Sequence, residues 1–590
     1  VDCASPAKPK TEQRVSGEPN HGFDDSRRLT GTNRYFADPA VTLTPLGGSA
    51  GNSKALEAWA GRVRAMCEAL GWPDPQPRIE QRAAGTLLVF KAPPDSLITA
   101  TEVSEWAWER AAAERGESAF DLAHDLGDGP QAVAVFAARN AAERVAALEM
   151  LRAAAARHGV PLIEDDAEVS LGAGSGSRRW PRDALPAVDA VPWSALHDVP
   201  TALVTGSNGK TTTVRVLAAM AAAHGLTPGY CCTEGVFVAG EEVLSGDYSG
   251  PDGARAVLRH CAVQAAVLET ARGGILRRGL AVRRADVAIV TNISADHFGE
   301  YGVEDADDLA ETKLAVARAV QHGGVLVLNA DDATLMAAAG RLPHAAVARV
   351  ALFARDHAHP ALTALRARGG STCAVRDGDL VLCHAARELS VGKLEALPLT
   401  LGGAAAYNVA NLSAAALAGM ALEFAPQSVL SVLHRFGSAP LDNPGRLERW
   451  HHRGALVLID FAHNPGALEQ LLRVARALRP PRLYLLLGQA GNRDDEAIAD
   501  LARTAARFSP DCVAIKELPH MLRGRMPGEV SALLMRALLE AGVPRERIVE
   551  EPDEETAARR LLQAAQPGDV IVLPVHTRAV RERIRASLEA

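Results

Sequence analysis

From residue 201 onward, short apolar runs alternate with amphipathic stretches. The runs TALVTG (201–206), AAVLET (265–270), VAIVTNI (287–293) and GVLVLNAD (324–331) are apolar on both faces. That pattern predicts parallel strands covered by helices on both sides. A second set follows Pro444: ALVLIDF (455–461), RLYLLLG (482–488), CVAIKE (512–517) and VIVLPV (570–575). The chain should therefore hold two α/β domains, divided near residues 438–445.

The first third reads differently. GTLLVF (85–90) and residues 132–137 have strand-like runs. Residues 101–115 and 141–158 carry apolar positions at helical spacing, the former behind a Thr followed by a Glu. These elements predict a small α+β domain over residues 31–165. Residues 1–30 are polar and rich in Pro, Gly, Ser and charge, which predicts a disordered arm. Residues 166–195 are rich in Gly, Ser and Pro and are expected to form a linker.

Composition narrows the class. A chain of 590 residues, 48% hydrophobic and 23% charged, suits several buried cores and excludes a wholly disordered protein. The net charge of 63 − 71 = −8 argues against a general nucleic-acid binder. The eight cysteines show no CxxC pair, as expected for reduced thiols. Neither a membrane-spanning apolar run nor a signal-peptide-like stretch is found, so a cytoplasmic location without membrane attachment is expected. A homo-oligomer is left open.

The strongest chemical signal is Thr205-Gly206-Ser207-Asn208-Gly209-Lys210-Thr211-Thr212-Thr213, after an apolar run and before a helical one. Glycines there let backbone N–H groups curl around a polyphosphate, and the helix N-terminus adds its own donors. Lys210 can bridge the terminal phosphates of ATP, and the Thr211 hydroxyl can bind Mg²⁺.

TGSNGKTTT resembles the P-loop of the Mur ligase superfamily, and further strings follow in that family's order. Glu269 ends AAVLET, Thr291-Asn292 and Asp296-His297 match its TN-x-x-x-DH segment, and Lys313 lies where many members carry a carbamylated lysine. Asn408 and Asn411 in AYNVAN, Arg446 in NPGRLE, and Asp460, His463 and Asn464 in DFAHNP match later segments. The resemblance implies a central P-loop domain (196–440) and a Rossmann-like C-terminal domain (441–590) that closes over it. It also implies an ATP-dependent amide ligase working through an acyl phosphate. Glu269, His297 and Thr211 would hold Mg²⁺. Gly206, Asn208, Gly209, Thr211, Thr212, Asn292, Asn408, Asn411, Arg446 and Asp460 would join Lys210 on ATP, and Lys210, His297, Lys313 and Arg446 would be catalytic.

Two strings are closer to cyanophycin synthetases: ETARGGILRRGL (269–280) and LRGRMPGE (522–529). They point to Arg272, Arg277, Arg523 and Arg525, with His463 and Asn464, as contacts for a small amino-acid or peptide substrate. Five arginines fall within residues 272–284 and read either as a solvated loop or as an anion-binding surface. Those synthetases carry an ATP-grasp domain between the N-terminal and Mur-like parts; here only residues 166–195 stand there. The expected activity is thus one side-chain amide bond, with an amine such as arginine, and no polymerisation by this chain alone. The alternatives are a nucleotide-binding scaffold without turnover and a ligase like folylpolyglutamate synthetase.

Overall fold

The computed structural model describes residues 22–83, 85–115, 126–294, 298, 301–342, 349–385 and 387–589. The N-terminal domain is an antiparallel sheet in the order Phe23–Leu29, Ala40–Pro45, Gly85–Lys91, Arg78–Arg82. Helices Ser53–Ala69 and Leu97–Ala113 pack against it through Trp59, Val63, Phe90, Trp106 and Trp108.

Three expectations are corrected here. Residues 23–29, assigned to a disordered arm, form the edge strand of this sheet, with Arg28 opposite Val41. Its polar composition follows from its place beside an interdomain cleft, where Arg27 Nη1 donates to the Leu276 carbonyl (2.8 Å). Residues 132–137, expected as a strand, lie in helix Pro130–Glu143. The proline opens that helix, and Ala132, Phe136 and Asn140 are buried at four-residue spacing. The segment 166–195, expected as a linker, is folded: Leu162–Glu164, Glu168–Leu171 and Arg178–Pro181 make a three-stranded sheet. Its glycines serve close packing, since a Cβ on Gly176 would lie 2.4 Å from the His197 carbonyl oxygen. Arg259 of the central domain, 8% exposed, donates to the Ile163 and Glu168 carbonyls of this sheet (3.3 and 3.1 Å).

The helix expected at 101–115 begins earlier, at Leu97. The Glu143 carboxylate accepts from the Ile98 and Thr99 amides (2.7 and 2.8 Å), a cap supplied from another helix.

Among the described residues the central sheet has eleven strands. Seven run parallel in the order Pro228–Cys232, Ala265–Glu269, Thr201–Thr205, Ala285–Val290, Val320–Asn329, Arg349–Asp356, Thr372–Arg376. Antiparallel strands extend both edges. Thr201–Thr205 is central and wholly buried, and helices Lys210–Ala223 and Ala406–Ala421 cover it. The C-terminal domain is a six-stranded sheet, parallel except for its first strand: Glu448–His452, Ala455–Asp460, Val570–Pro574, Leu483–Leu487, Cys512–Ile515, Ile548–Glu550. The last α-helix before the C-terminal sheet, Pro426–Arg435, ends thirteen residues before that sheet opens at Glu448. Among the described residues no helix is long and apolar enough to cross a membrane.

The N-terminal domain grips the central one at the helix Arg272–Arg278. Thr30 N donates to the Arg278 carbonyl (2.8 Å) and Leu280 N to the Thr32 carbonyl (2.7 Å). Arg34, with its side chain 7% exposed, pairs with Asp308 and Glu311.

Candidate active site

Three neighbouring parallel strands end at one place. Thr201–Thr205 leads into the glycine loop, Ala265–Glu269 ends on Glu269, and Ala285–Val290 leads to Thr291 and Asn292. The carboxyl ends of such strands are where open α/β sheets bind ligands.

The loop is shaped by two glycines. At Gly206 (φ +140°) a Cβ would lie 1.9 Å from Thr291 Oγ1; at Gly209 (φ +87°) it would lie 2.2 Å from Asn411 Oδ1. Asn292 pins the loop from both sides, accepting from Asn208 N (3.0 Å) and donating to its carbonyl (2.9 Å). Lys210 Nζ donates to the Gly206 and Ser207 carbonyls, each at 3.0 Å. Lys313, at the end of helix Ala306–Lys313, is 3% exposed and donates to the Gly206 carbonyl at 2.9 Å, so it is a buried contact of this loop and not a solvated residue.

Glu269 is 1% exposed. Its Oε2 accepts from the Thr211 hydroxyl (2.8 Å), while Oε1 is buried with no hydrogen-bond partner among the described residues. Burial raises its carboxyl above the ordinary value, and Lys210 and Arg446 oppose that rise. A buried carboxylate oxygen without a donor, next to a hydroxyl, is an oxygen-rich set that fits a hard divalent cation. His297 lies outside the described residues.

The C-terminal domain reaches this point. Arg446 Nη2 donates to Thr233 Oγ1 (3.2 Å) and Thr211 Oγ1 (3.4 Å), and its guanidinium lies 4.7 Å from the centre of the Phe461 ring. Asn464 Oδ1 caps helix Pro465–Ala477 while its Nδ2 donates to Asn208 Oδ1 (3.0 Å) across the domains. Asn443 Nδ2 donates to Thr212 Oγ1 (3.1 Å). Asp460 accepts from Leu447 N (2.7 Å); burial raises its carboxyl, against the pull of Arg446. Asn411 Nδ2 donates to Asn408 Oδ1 (3.1 Å) at the start of their helix.

These groups surround a cleft of about 3330 Å³. Asn208, Gly209, Lys210, Thr211, Thr212, Glu269 and Asn292 line it from the central sheet. Lys313, Asn408, Asn411, Arg446, Asp460 and His463 complete that end. Arg272, Arg277 and Arg523 also face the cleft, Arg277 with its Nε turned back to the Gly273 carbonyl (3.1 Å). Gly206 and Asn464 do not line the cleft; they hydrogen-bond to the lining residues Lys210 and Asn208. Arg525 is a correction. Its guanidinium is spent on the Gly491 and Arg493 carbonyls (3.0 and 2.7 Å), Asp495 (2.8 Å) and Glu529 (2.5 Å), so it holds a loop and does not face the cleft. The doublet Arg523-Gly524-Arg525 in sequence does not reveal which arginine points inward.

Sequence reasoning gave no role to Thr233, Glu234, Tyr407, Asn443, His576 or Arg581. Tyr407 lies beside the expected asparagines and Asn443 within the expected NPGR, so both were within reach. The Tyr407 hydroxyl is buried without a hydrogen-bond partner among the described residues. His576 and Arg581 follow the last apolar run, where strand ends carry function. Thr233 and Glu234 sit in a turn with no motif to mark it.

A glycine loop between a central parallel strand and a helix, closed by a second α/β domain, defines a protein with a P-loop phosphate site between two α/β domains. The chain belongs to the Mur ligase family: residues 204–419 match the Mur ligase middle domain, and residues 445–574 match the Mur ligase, glutamate ligase domain. Among curated relatives, cyanophycin synthetase of Trichormus variabilis is 34% identical over 377 residues, 64% of this chain and 41% of that one. Its Synechocystis counterpart is 32% identical over 415 residues, 70% of this chain and 46% of that one. The chain thus spans less than half the length of these synthetases. The UDP-N-acetylmuramoyl-L-alanyl-D-glutamate–2,6-diaminopimelate ligase of Xanthomonas campestris is 29% identical over 384 residues, 63% of this chain and 70% of that one. Among solved structures, a bifunctional folylpolyglutamate synthase/dihydrofolate synthase from Yersinia pestis aligns with a TM-score of 0.47 at 20% identity, covering 66% of this chain and 89% of that one.

Proposed function

We propose that this chain is an ATP- and Mg²⁺-dependent ligase that joins a carboxylate to an amine through an acyl phosphate. The carboxylate would be the side chain of an acidic amino acid or peptide, and the amine an amino acid such as arginine. The observation that carries this reading is the convergence on Thr211 of a phosphate loop, a buried carboxylate oxygen unpaired among the described residues, and an arginine from the closing domain.

ATP carries about four negative charges, so its site needs cations and N–H donors. Lys210 and Arg446 supply cations, and the amides of the glycine loop and helix start supply donors. A divalent cation held by Glu269 and Thr211, with His297 implied by family resemblance, would offset further phosphate charge. Asp460 and Tyr407 lie at the same end of the cleft, suited to the nucleoside hydroxyls. In the reaction a substrate carboxylate oxygen attacks the γ-phosphorus and ADP leaves. The amine nitrogen then attacks the acyl carbon, phosphate leaves, and the amine gives up its proton. Closure by the domain bearing Arg446 and Asn464 would keep water from the acyl phosphate. Arg272 and Arg277 place positive charge along the cleft for the acidic substrate, beside the N-terminal domain.

The test is phosphate release by the purified chain with ATP, Mg²⁺ and paired substrates: acidic amino acids or β-Asp-Arg peptides with candidate amines. Amine-dependent phosphate release and a single amide product are expected. ATP binding with no amine-dependent turnover would favour the scaffold alternative. Insoluble Asp–Arg polymer formed by this chain alone would refute the single-bond reading. Polymer growth needs a second carboxylate activation, and the folded segment 162–181 is too small for another nucleotide domain.

The cation carries its own prediction. Glu269→Gln removes the charge but keeps the shape, and should lower turnover by about 100-fold or more, as should excess EDTA on the unaltered protein. Undiminished product formation in EDTA would remove the cation from the scheme.

A further inference from the structure

One buried charge cluster lies behind the cleft in the C-terminal domain. Lys516, at the end of strand Cys512–Ile515, is 0% exposed. Its ammonium donates to Glu554 and to the Pro574 carbonyl, and its third direction meets His576 Nδ1 at 3.0 Å. Glu554, 5% exposed, accepts in addition from His576 N (2.8 Å) and Thr577 N (3.0 Å). His576 is 8% exposed and lines the cleft. Its Nε2 lies 3.2 Å from the Ala462 carbonyl oxygen, and its ring meets Phe461 edge-on at 5.2 Å.

An ammonium has only donors, so the nitrogen that faces Lys516 must accept. The ring proton then sits on Nε2, where it can donate to Ala462. Burial, with Lys516, His463 and Arg581 nearby, pushes the imidazole well below its ordinary value and keeps it neutral. The Ala462 carbonyl belongs to the loop that carries Phe461, against which Arg446 lies, and His463 in the cleft wall.

We infer that Lys516 is a positioning residue that fixes His576 as its Nε2–H tautomer, and that this imidazole holds the 461–463 loop against Arg446 at the phosphate end of the cleft. The inference rests on the proposed site but not on ligation. A buried Lys–Glu pair is a weak source of stability, and its use here is to set one geometry.

The two amide replacements of His576 separate this role from packing. In His576→Gln the side-chain NH₂ falls near the Nε2 position and can still donate to Ala462; in His576→Asn the shorter amide ends near the Nδ1 position with its oxygen accepting from Lys516, and its NH₂ cannot reach Ala462. Affinity for a non-hydrolysable ATP analogue should stay within about threefold of the parent in H576Q and fall by about tenfold to 100-fold in H576N, at similar melting temperatures. Nitrogen-15 NMR of the histidine-labelled full chain should show a neutral Nε2–H ring for His576 between about pH 6 and 8. In the charge-neutral double variant K516M/E554Q that preference should be lost. Equal affinities in H576N and H576Q, or an Nδ1–H ring in the parent protein, would overturn the inference. Neither readout needs turnover, so absence of ligase activity leaves the inference standing, and its failure leaves the ligase reading standing.

Discussion

Lys210→Met abolishes ATP-dependent phosphate release while the protein stays folded: this is the largest effect expected of any single substitution at the site. The lysine starts helix Lys210–Ala223, and its ammonium is set over the loop by the Gly206 and Ser207 carbonyls. Methionine keeps the length and helix propensity of the side chain and removes only the charge and its donors. In a water-poor cleft the lost interaction is one that strengthens as phosphate charge moves, so the loss should be at least about 100- to 1000-fold. Lys210→Arg retains the charge but brings a planar fork where a compact ammonium fits, and should restore little. The measurement is amine-dependent phosphate release beside a thermal melt. Turnover near that of the parent in K210M, with the melt unchanged, would remove the P-loop lysine from the chemistry.

The parallel sheet and the loop were legible because each depends on local sequence. Apolar runs on both faces demand burial, and Gly206 and Gly209 stand where any Cβ would strike Thr291 or Asn411. What could not be read depended on distant partners. Residues 23–29 look like an arm because their polar side chains face another domain. The glycines of 172–176 look like linker residues until His197 and Val263 are seen pressed against them. Helix Leu97–Ala113 starts where Glu143 caps it, not where its own Thr-and-Glu pattern suggests. Arg523 and Arg525 share one motif, yet only the first faces the cleft, because Asp495 and Glu529 hold the second. Lys516 ends an apolar run like many surface lysines, and only the fold shows it enclosed with Glu554 and His576.

The second large effect is expected at Glu234, which joins the two α/β domains. Its carboxylate accepts from Arg215 of the central domain (2.9 Å) and from Arg581 of the C-terminal helix Arg578–Glu589 (2.5 Å). The three side chains are 12%, 5% and 2% exposed. Arg215 also donates to the Pro444 carbonyl (2.6 Å) and Asn443 Oδ1 (3.2 Å) in the segment between the domains. Glu234→Ala leaves two buried guanidiniums without their shared counter-charge, a change that costs about 3–5 kcal/mol. Swinging the C-terminal domain away is the way to rehydrate them. The variant should therefore melt earlier, be cut faster by protease near residues 438–445, and give a larger radius in solution scattering. Burial alone would raise the Glu234 carboxyl, but Arg215, Arg581 and Arg446 outweigh it and hold the value below the ordinary one. A carboxyl depressed in the folded state contributes stability that is present above its unfolded value, about 4.3, and is lost as pH falls through the folded one. The unaltered protein should accordingly lose its domain contact under acid below about pH 4.3, whereas Glu234→Gln, with nothing to protonate there, should show a weaker dependence over the same range. An E234A protein with the parent's melting temperature and radius would show that the contact between the domains does not depend on this carboxylate.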